Sequence, residues 1–168
     1  MPLTELPFGL AGHIFRSPMP FGIYDPREEV FNEYIQNGVS VIVLLAEDEE
    51  CLQKAGRNLR LLYEEKGFKV IHLPIPDFGI PSNSDFVRVV NAVIAHAQTG
   101  CNIAIHCSAG IGRTGLFVAL LAKQVLGFSG EEAIAWVQQY IPGAVETAEQ
   151  RQLVVGGSIS IAPCRMHL

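Results

Sequence analysis

Cys101-Asn102-Ile103-Ala104-Ile105-His106 is a short run rich in apolar residues, and Cys107-Ser108-Ala109-Gly110-Ile111-Gly112-Arg113-Thr114 follows it without a break. The run reads as a buried strand, the glycine-containing stretch as a loop, and residues 113–126 as a helix. A strand that delivers its chain into a loop opening directly onto a helix gathers loop N–H groups around one concavity. The positive end of the helix, roughly half an elementary charge, lies behind them. That arrangement is an anion site. It favours a thiolate over a thiol at Cys107, and Arg113, six residues on, supplies a planar two-pronged clamp for two oxygens of a tetrahedral anion. Gly110 and Gly112 allow a close backbone approach that a Cβ would block. Taken alone, Cys107 reads as a structural cysteine of a buried strand; in company with Gly110 and Arg113 it points to chemistry.

The rest of the chain alternates strands with helices. Residues 10–16 are expected to form an early strand. Asp25 should cap a helix that has Pro26 in its first turn and runs to Asn37, where Gly38 stops it. The apolar run 39–45 has the character of a strand buried on both faces. Residues 46–50 are an acidic loop or the start of a helix reaching Lys66, and 70–73 form another strand. Residues 74–84 hold three prolines and one glycine and read as a long loop. Ser84 or Asp85 caps a helix through Thr99. Ser129 with Glu132 has the capping-box spacing for a helix to Tyr140, and Thr147 caps a last short helix through Val155. The pattern predicts an α/β fold with a mostly parallel central sheet flanked by helices.

Composition sets the outer bounds. With 168 residues, 49% of them hydrophobic and 17% charged, the chain has the makings of one packed domain over 1–168, with 156–168 a weakly patterned tail. The 16 glycines and 10 prolines follow no period, which excludes collagen-like repeats. Twelve basic residues against 17 acidic ones give a formal charge of −5, and no Lys/Arg cluster marks a nucleic-acid partner. The N-terminus lacks the basic and apolar regions of a signal peptide, and the longest apolar stretches (39–46 and 115–122) fall far short of the roughly 20 residues that span a bilayer. A cytoplasmic, non-membrane, monomeric protein is expected. The four cysteines form no CxxC pair and the five histidines do not gather near them, so neither a zinc site nor a disulfide framework is expected.

His106-Cys107-Ser108-Ala109-Gly110-Ile111-Gly112-Arg113-Thr114 resembles the active-site loop of the cysteine-dependent protein tyrosine phosphatases, whose pattern is HCxxGxxR followed by Ser or Thr. Pro76-Asp77-Phe78-Gly79-Ile80-Pro81-Ser82, thirty residues before Cys107, looks like that family's acid loop, with Ile75 where tyrosine-specific members carry Trp. The matching part covers residues 70–153, and the chain's length is closer to the compact dual-specificity branch. The resemblance implies that Cys107 is the nucleophile, Asp77 the general acid and base, and Arg113 the phosphate clamp. It implies that loop residues Ser108 to Gly112 (Ala109, Gly110 and Ile111 between them) bind phosphate, and that His106 organises the loop. The hydroxyl of Thr114 can hydrogen-bond the Cys107 sulfur. A late family loop that positions water matches at Gln150, whereas Glu146 stands in the place of its first glutamine. A carboxylic acid in a Pro-rich loop also suits proton transfer on its own account.

The expected activity is therefore metal-free and cofactor-free hydrolysis of phosphotyrosine in proteins, with phosphoserine and phosphothreonine left open. A phosphoinositide or small phosphoester phosphatase is the alternative, followed by a non-catalytic phosphate-binding module. Several charged and reactive residues have a plainer reading. Glu47 to Glu50 read as a solvated acidic stretch, and Arg16, Lys54, Arg57 and Arg60 as solvated side chains that could also rim a pocket. His72 reads as core or pocket wall, and Trp136 and Tyr140 as a packed helix face. Cys51 and Cys101 read as small buried residues, with a resolving thiol for Cys107 as the other option.

Overall fold

The computed structural model describes residues 2–156. In chain order the elements are β1 (Thr4–Leu6), β2 (Ile14–Ser17), α1 (Val30–Gln36), β3 (Val39–Leu44), α2 (Asp48–Ala55), α3 (Leu59–Glu65), β4 (Lys69–His72), α4 (Asn83–Gln98), β5 (Asn102–His106), α5 (Gly112–Leu126), α6 (Gly130–Tyr140) and α7 (Ala148–Gly156). The sheet order is β1-β2-β5-β3-β4. β2, β5, β3 and β4 run parallel, and β1 is an antiparallel edge strand on β2.

Alternation along each strand explains the two-sided burial. Val41 and Val43 of β3 and Ile103 and Ile105 of β5 join the core beneath α4, α5 and α6. Ile42 and Leu44 with Ala104 face the other way, into a second core with Tyr34 and Tyr63. Helices cover both faces, so the central strands β3 and β5 bury apolar side chains on both sides. In an open parallel sheet ligands bind beyond the carboxyl ends of the strands. β5 ends at His106, and the chain turns there into the loop that precedes α5.

Several expectations hold. The capping box of Ser129 and Glu132 is formed, Thr147 Oγ1 accepts from Gln150 N at 3.1 Å, and Gly38 and Gly100 follow α1 and α4 with positive φ. Trp136 packs on Tyr140 and Phe8 with ring centroids 5.0 and 5.1 Å apart. Other boundaries are corrected. The early strand is Ile14–Ser17 and pairs with the unforeseen β1, a three-residue edge too short to carry an alternation signal. The long helix to Lys66 is two helices, broken at Gly56 (φ 69°), after which Asn58 caps α3 by accepting from Leu61 N. The tail beyond Gly156 lies outside the described residues, and Gly156 itself ends α7.

The first helix starts at Val30 instead of beside Asp25. The buried Asp25 carboxylate holds a turn instead, accepting from Phe21 N (3.0 Å), Glu29 N (2.9 Å) and Val30 N (3.4 Å). Replacing this carboxylate takes the acceptor from three turn N–H groups, that of the buried Val30 among them. Asp25→Ala is expected to cost about 2 kcal/mol in chemical denaturation, and an unchanged midpoint would show that the turn holds without it.

Candidate active site

The loop after β5 is pinned from below before any ligand arrives. His106 is fully buried at the strand end. Its Nδ1–H donates to the Cys107 carbonyl at 2.9 Å, which leaves Nε2 to accept from the Tyr63 hydroxyl at 2.7 Å. Burial pushes the His106 pKa down to about 4, so the ring is neutral at pH 7 and carries the tautomer these two bonds require. On the other side, Ser108 O accepts from Met19 N at 2.8 Å. Gly110 has φ 73°, and a Cβ there would stand 2.2 Å from the Ser17 carbonyl oxygen, so only glycine fits.

Cys107 is 2% exposed, yet it lines a cavity of about 450 Å³. Thr114, one residue past Arg113 in α5, donates its hydroxyl to Cys107 Sγ at 3.1 Å. The first-turn N–H groups of α5 have no acceptors within their own helix, and Ser108, Ala109 and Gly112 line the cavity beside the sulfur. Phosphate-sized anions suit such a floor.

Arg113 is 2% exposed and forms a two-pronged pair with Glu50 of α2, Nη1 to Oε2 and Nη2 to Oε1, each 2.7 Å. Nη1 also donates to Ile75 O at 3.0 Å, and Nη2 lies 3.2 Å from Asp77 Oδ1. Lys54, one turn after Glu50, is 2.8 Å from Glu50 Oε1, 3.2 Å from Ser108 Oγ and 3.7 Å from Asp77 Oδ2. Burial alone would raise the Glu50 pKa, but the hydrogen bonds from Arg113 and Lys54 outweigh it and hold the carboxylate down at about 2. Burial works against the charge on Arg113 too, and the same Glu50 bonds more than reverse it.

The expected residues divide accordingly. His106, Cys107, Ser108, Ala109, Gly110, Ile111, Gly112, Arg113 and Thr114 share one loop and helix start, and Asp77 reaches the cavity from the loop after β4. Gln150 does not line the cavity. It is fully buried, its Oε1 accepts from Glu146 N (2.9 Å) and Thr147 N (3.4 Å), and its Nε2 donates to Gly79 O at 3.3 Å. These bonds make it a strap between two loops. Glu50 is corrected from solvated to paired, and Lys54 from solvated to cavity-lining. Arg57 lies over the Phe21 ring, Arg60 pairs with Asp48, and His72 Nε2 meets Ala46 O. Cys51 is buried, and burial with the nearby Glu50 pushes its thiol up to about 12. Among the described residues no three His, Cys, Asp or Glu side chains gather as they would around a metal ion.

Sequence reasoning missed Glu50, Tyr63, Ile23 and Tyr24. The spacing of Glu50 and Lys54, four apart in a helix that follows a parallel strand, puts them on one face at the carboxyl end of the sheet. That signal was available. Nothing local marks Tyr63, and Ile23 and Tyr24 reach the cavity from the loop after β2.

A family model described as "Polymorphic toxin system, DSP-PTPase phosphatase" matches residues 20–124. The chain belongs to the cysteine-dependent protein tyrosine and dual-specificity phosphatase family. Among curated relatives, the tyrosine-protein phosphatase CDC14 of Candida albicans is 27% identical over 137 residues, covering 79% of this chain and 23% of that protein. The chain spans between 17% and 56% of the first such relatives. The solved structure of Tk-PTP in the active form is 30% identical with a TM-score of 0.71, covering 85% of this chain and 89% of that one. Kinase-associated phosphatase superposes with a TM-score of 0.79 over 90% of both chains at 21% identity, which speaks for the fold alone. No helix among the described residues is long and apolar enough to cross a membrane.

Within this phosphatase fold the neutral His106 has a measurable signature. Its ordinary pKa of 6.5 falls to about 4 in the folded chain. The unfolded chain therefore binds the extra proton first as pH drops. Stability from this residue is complete above pH 6.5 and is lost as pH falls towards 4, a change on the order of 3 kcal/mol. Denaturation of His106→Gln should lack that slope between pH 6.5 and 4. An equal slope in both proteins would assign the pH dependence elsewhere.

Proposed function

We propose that the chain hydrolyses phosphomonoesters of proteins, phosphotyrosine first, through a phosphocysteine formed on Cys107. The observation that carries this reading is the Thr114 hydroxyl donating to Cys107 Sγ at 3.1 Å, on a cavity that Arg113 and Asp77 also line. A hydroxyl aimed at sulfur stabilises negative charge there.

In the first step the Cys107 thiolate attacks phosphorus, the phosphorus–oxygen bond breaks, and the leaving oxygen takes the electron pair with a proton from the Asp77 carboxylic acid. Arg113 and the loop N–H groups hold the other phosphate oxygens as charge redistributes. In the second step water attacks phosphorus and gives its proton to the Asp77 carboxylate. The sulfur–phosphorus bond breaks, and the thiolate returns to the Thr114 hydroxyl. Nucleophile, acid and base all come from the chain, so the scheme needs no cofactor.

Asp77 is 49% exposed and leans on Arg113 and Lys54. A bound phosphate competes for the same guanidinium and frees Asp77 to face the leaving oxygen. At the mouth, Ile23, Tyr24 and Phe78 are exposed and line the cavity, with Phe78 held at φ 58° immediately after Asp77. Apolar and aromatic walls above an anion-binding floor fit an aryl phosphate better than a short alkyl one. One domain carries the activity, and the thiolate it depends on suits the reducing cytoplasm.

The test is hydrolysis of p-nitrophenyl phosphate and a phosphotyrosine peptide in excess chelator. Wild type is expected to turn over, and Cys107→Ser to lose all turnover. Asp77→Asn should lower kcat by about 10²–10⁴-fold while still binding substrate. Activity surviving in Cys107→Ser, or abolished by chelator in wild type, would overturn the scheme.

A further inference from the structure

The cavity holds a carboxylate that the reaction does not use. Glu146 lies on the connection between α6 and α7, is exposed, and lines the cavity with Cys107 and Arg113. Its side chain rests on the backbone of Gly112, where an added Cβ would stand 2.2 Å from Glu146 Oε2 and 2.7 Å from Cδ. The position is held from behind. Glu146 N donates to Gln150 Oε1 at 2.9 Å, the Gln150 amide is anchored in turn to Gly79 O, and the preceding Val145 sits at φ 61°. A β-branched residue in the left-handed region is strained and persists only where its surroundings enforce it.

Charge pairing around the cavity is uneven. Its two cations, Lys54 and Arg113, already share Glu50 and Asp77. Among the described residues no other Lys or Arg lines it, and the Glu146 carboxylate makes no hydrogen bond or ion pair. One phosphate can displace Asp77 from Arg113 and be satisfied. A second anion next to the first finds no spare cation and meets Glu146, whereas a neighbouring cation finds a carboxylate without a partner.

We propose that Glu146 sets the charge specificity of the site, selecting singly phosphorylated peptides with Lys or Arg beside the phosphorylated residue and rejecting those with a second phosphate or a carboxylate there. The inference rests on the phosphopeptide reading above but not on turnover. Two unit charges about 6 Å apart at an intermediate surface dielectric change an affinity by about tenfold.

The experiment measures Kd by calorimetry in the Cys107→Ser background, with and without Glu146→Gln. Three phosphotyrosine peptides are used, differing only in a Lys, Ala or phosphoserine beside the phosphotyrosine. The Lys peptide should bind most tightly and the doubly phosphorylated one most weakly. Glu146→Gln should shrink the ratio between those two by about tenfold, and Glu146→Lys should reverse the order. High salt should also compress the ratio for Cys107→Ser alone, an effect that a merely structural role would not produce. An equal ratio with and without Glu146→Gln, or no binding of any of the three, would overturn the proposal. The same peptides offered to the Cys107 enzyme report turnover separately, so selective binding without hydrolysis would refute the catalytic scheme and leave charge selection standing.

Discussion

A guanidinium that is 2% exposed needs a counter-charge, and for Arg113 Glu50 provides it through two parallel hydrogen bonds. That pair joins the first turn of the helix after β5 to the helix after β3. The Ile75 carbonyl adds the chain leaving β4. The segments leaving three of the parallel strands are thus tied at one side chain. Removing one partner of such a pair leaves a charge stranded in the interior, which costs far more than the intact pair contributes. The floor of the cavity inherits its shape from this constraint, because the planar fork of Arg113 can present only its remaining edge to the cavity.

Much of this was legible in the sequence where the signal is local. His106 to Thr114 declare a strand end, an anion loop and a helix start within nine residues, and the apolar runs at β3 and β5 announce strands buried on both faces. Ser129 and Glu132 spell out their own cap. Long-range pairing was not legible. Glu50 in a run of four acidic residues looks solvated until the fold sets it against Arg113, and nothing near Tyr63 in sequence shows that it ends under His106. The helix break at Gly56 turns on a single backbone conformation and the early turn on the hydrogen bonds of one carboxylate, Asp25, and residue type alone states these weakly.

The two late-loop residues show the limit of matching by position. Gln150 occupies a place associated with water handling, but both ends of its amide are committed to backbone groups. Glu146, where the pattern calls for an amide, is the side chain that reaches the cavity. Position identified the loop, while hydrogen-bond accounting assigned the parts within it.

The bond from Gln150 Nε2 to Gly79 O has a mechanical meaning. Gly79 belongs to the segment that carries Asp77, and Gln150 lies in the first turn of α7, which packs on α5 and α6. The acid-bearing segment is therefore no free flap. For it to swing away, the amide must release the carbonyl and find water, or α7 must shift with it. The seating of the last helix against its neighbours thus becomes part of the opening equilibrium of the site. A change on the far side of α7, remote from phosphorus, is linked to how often the acid stands over the cavity.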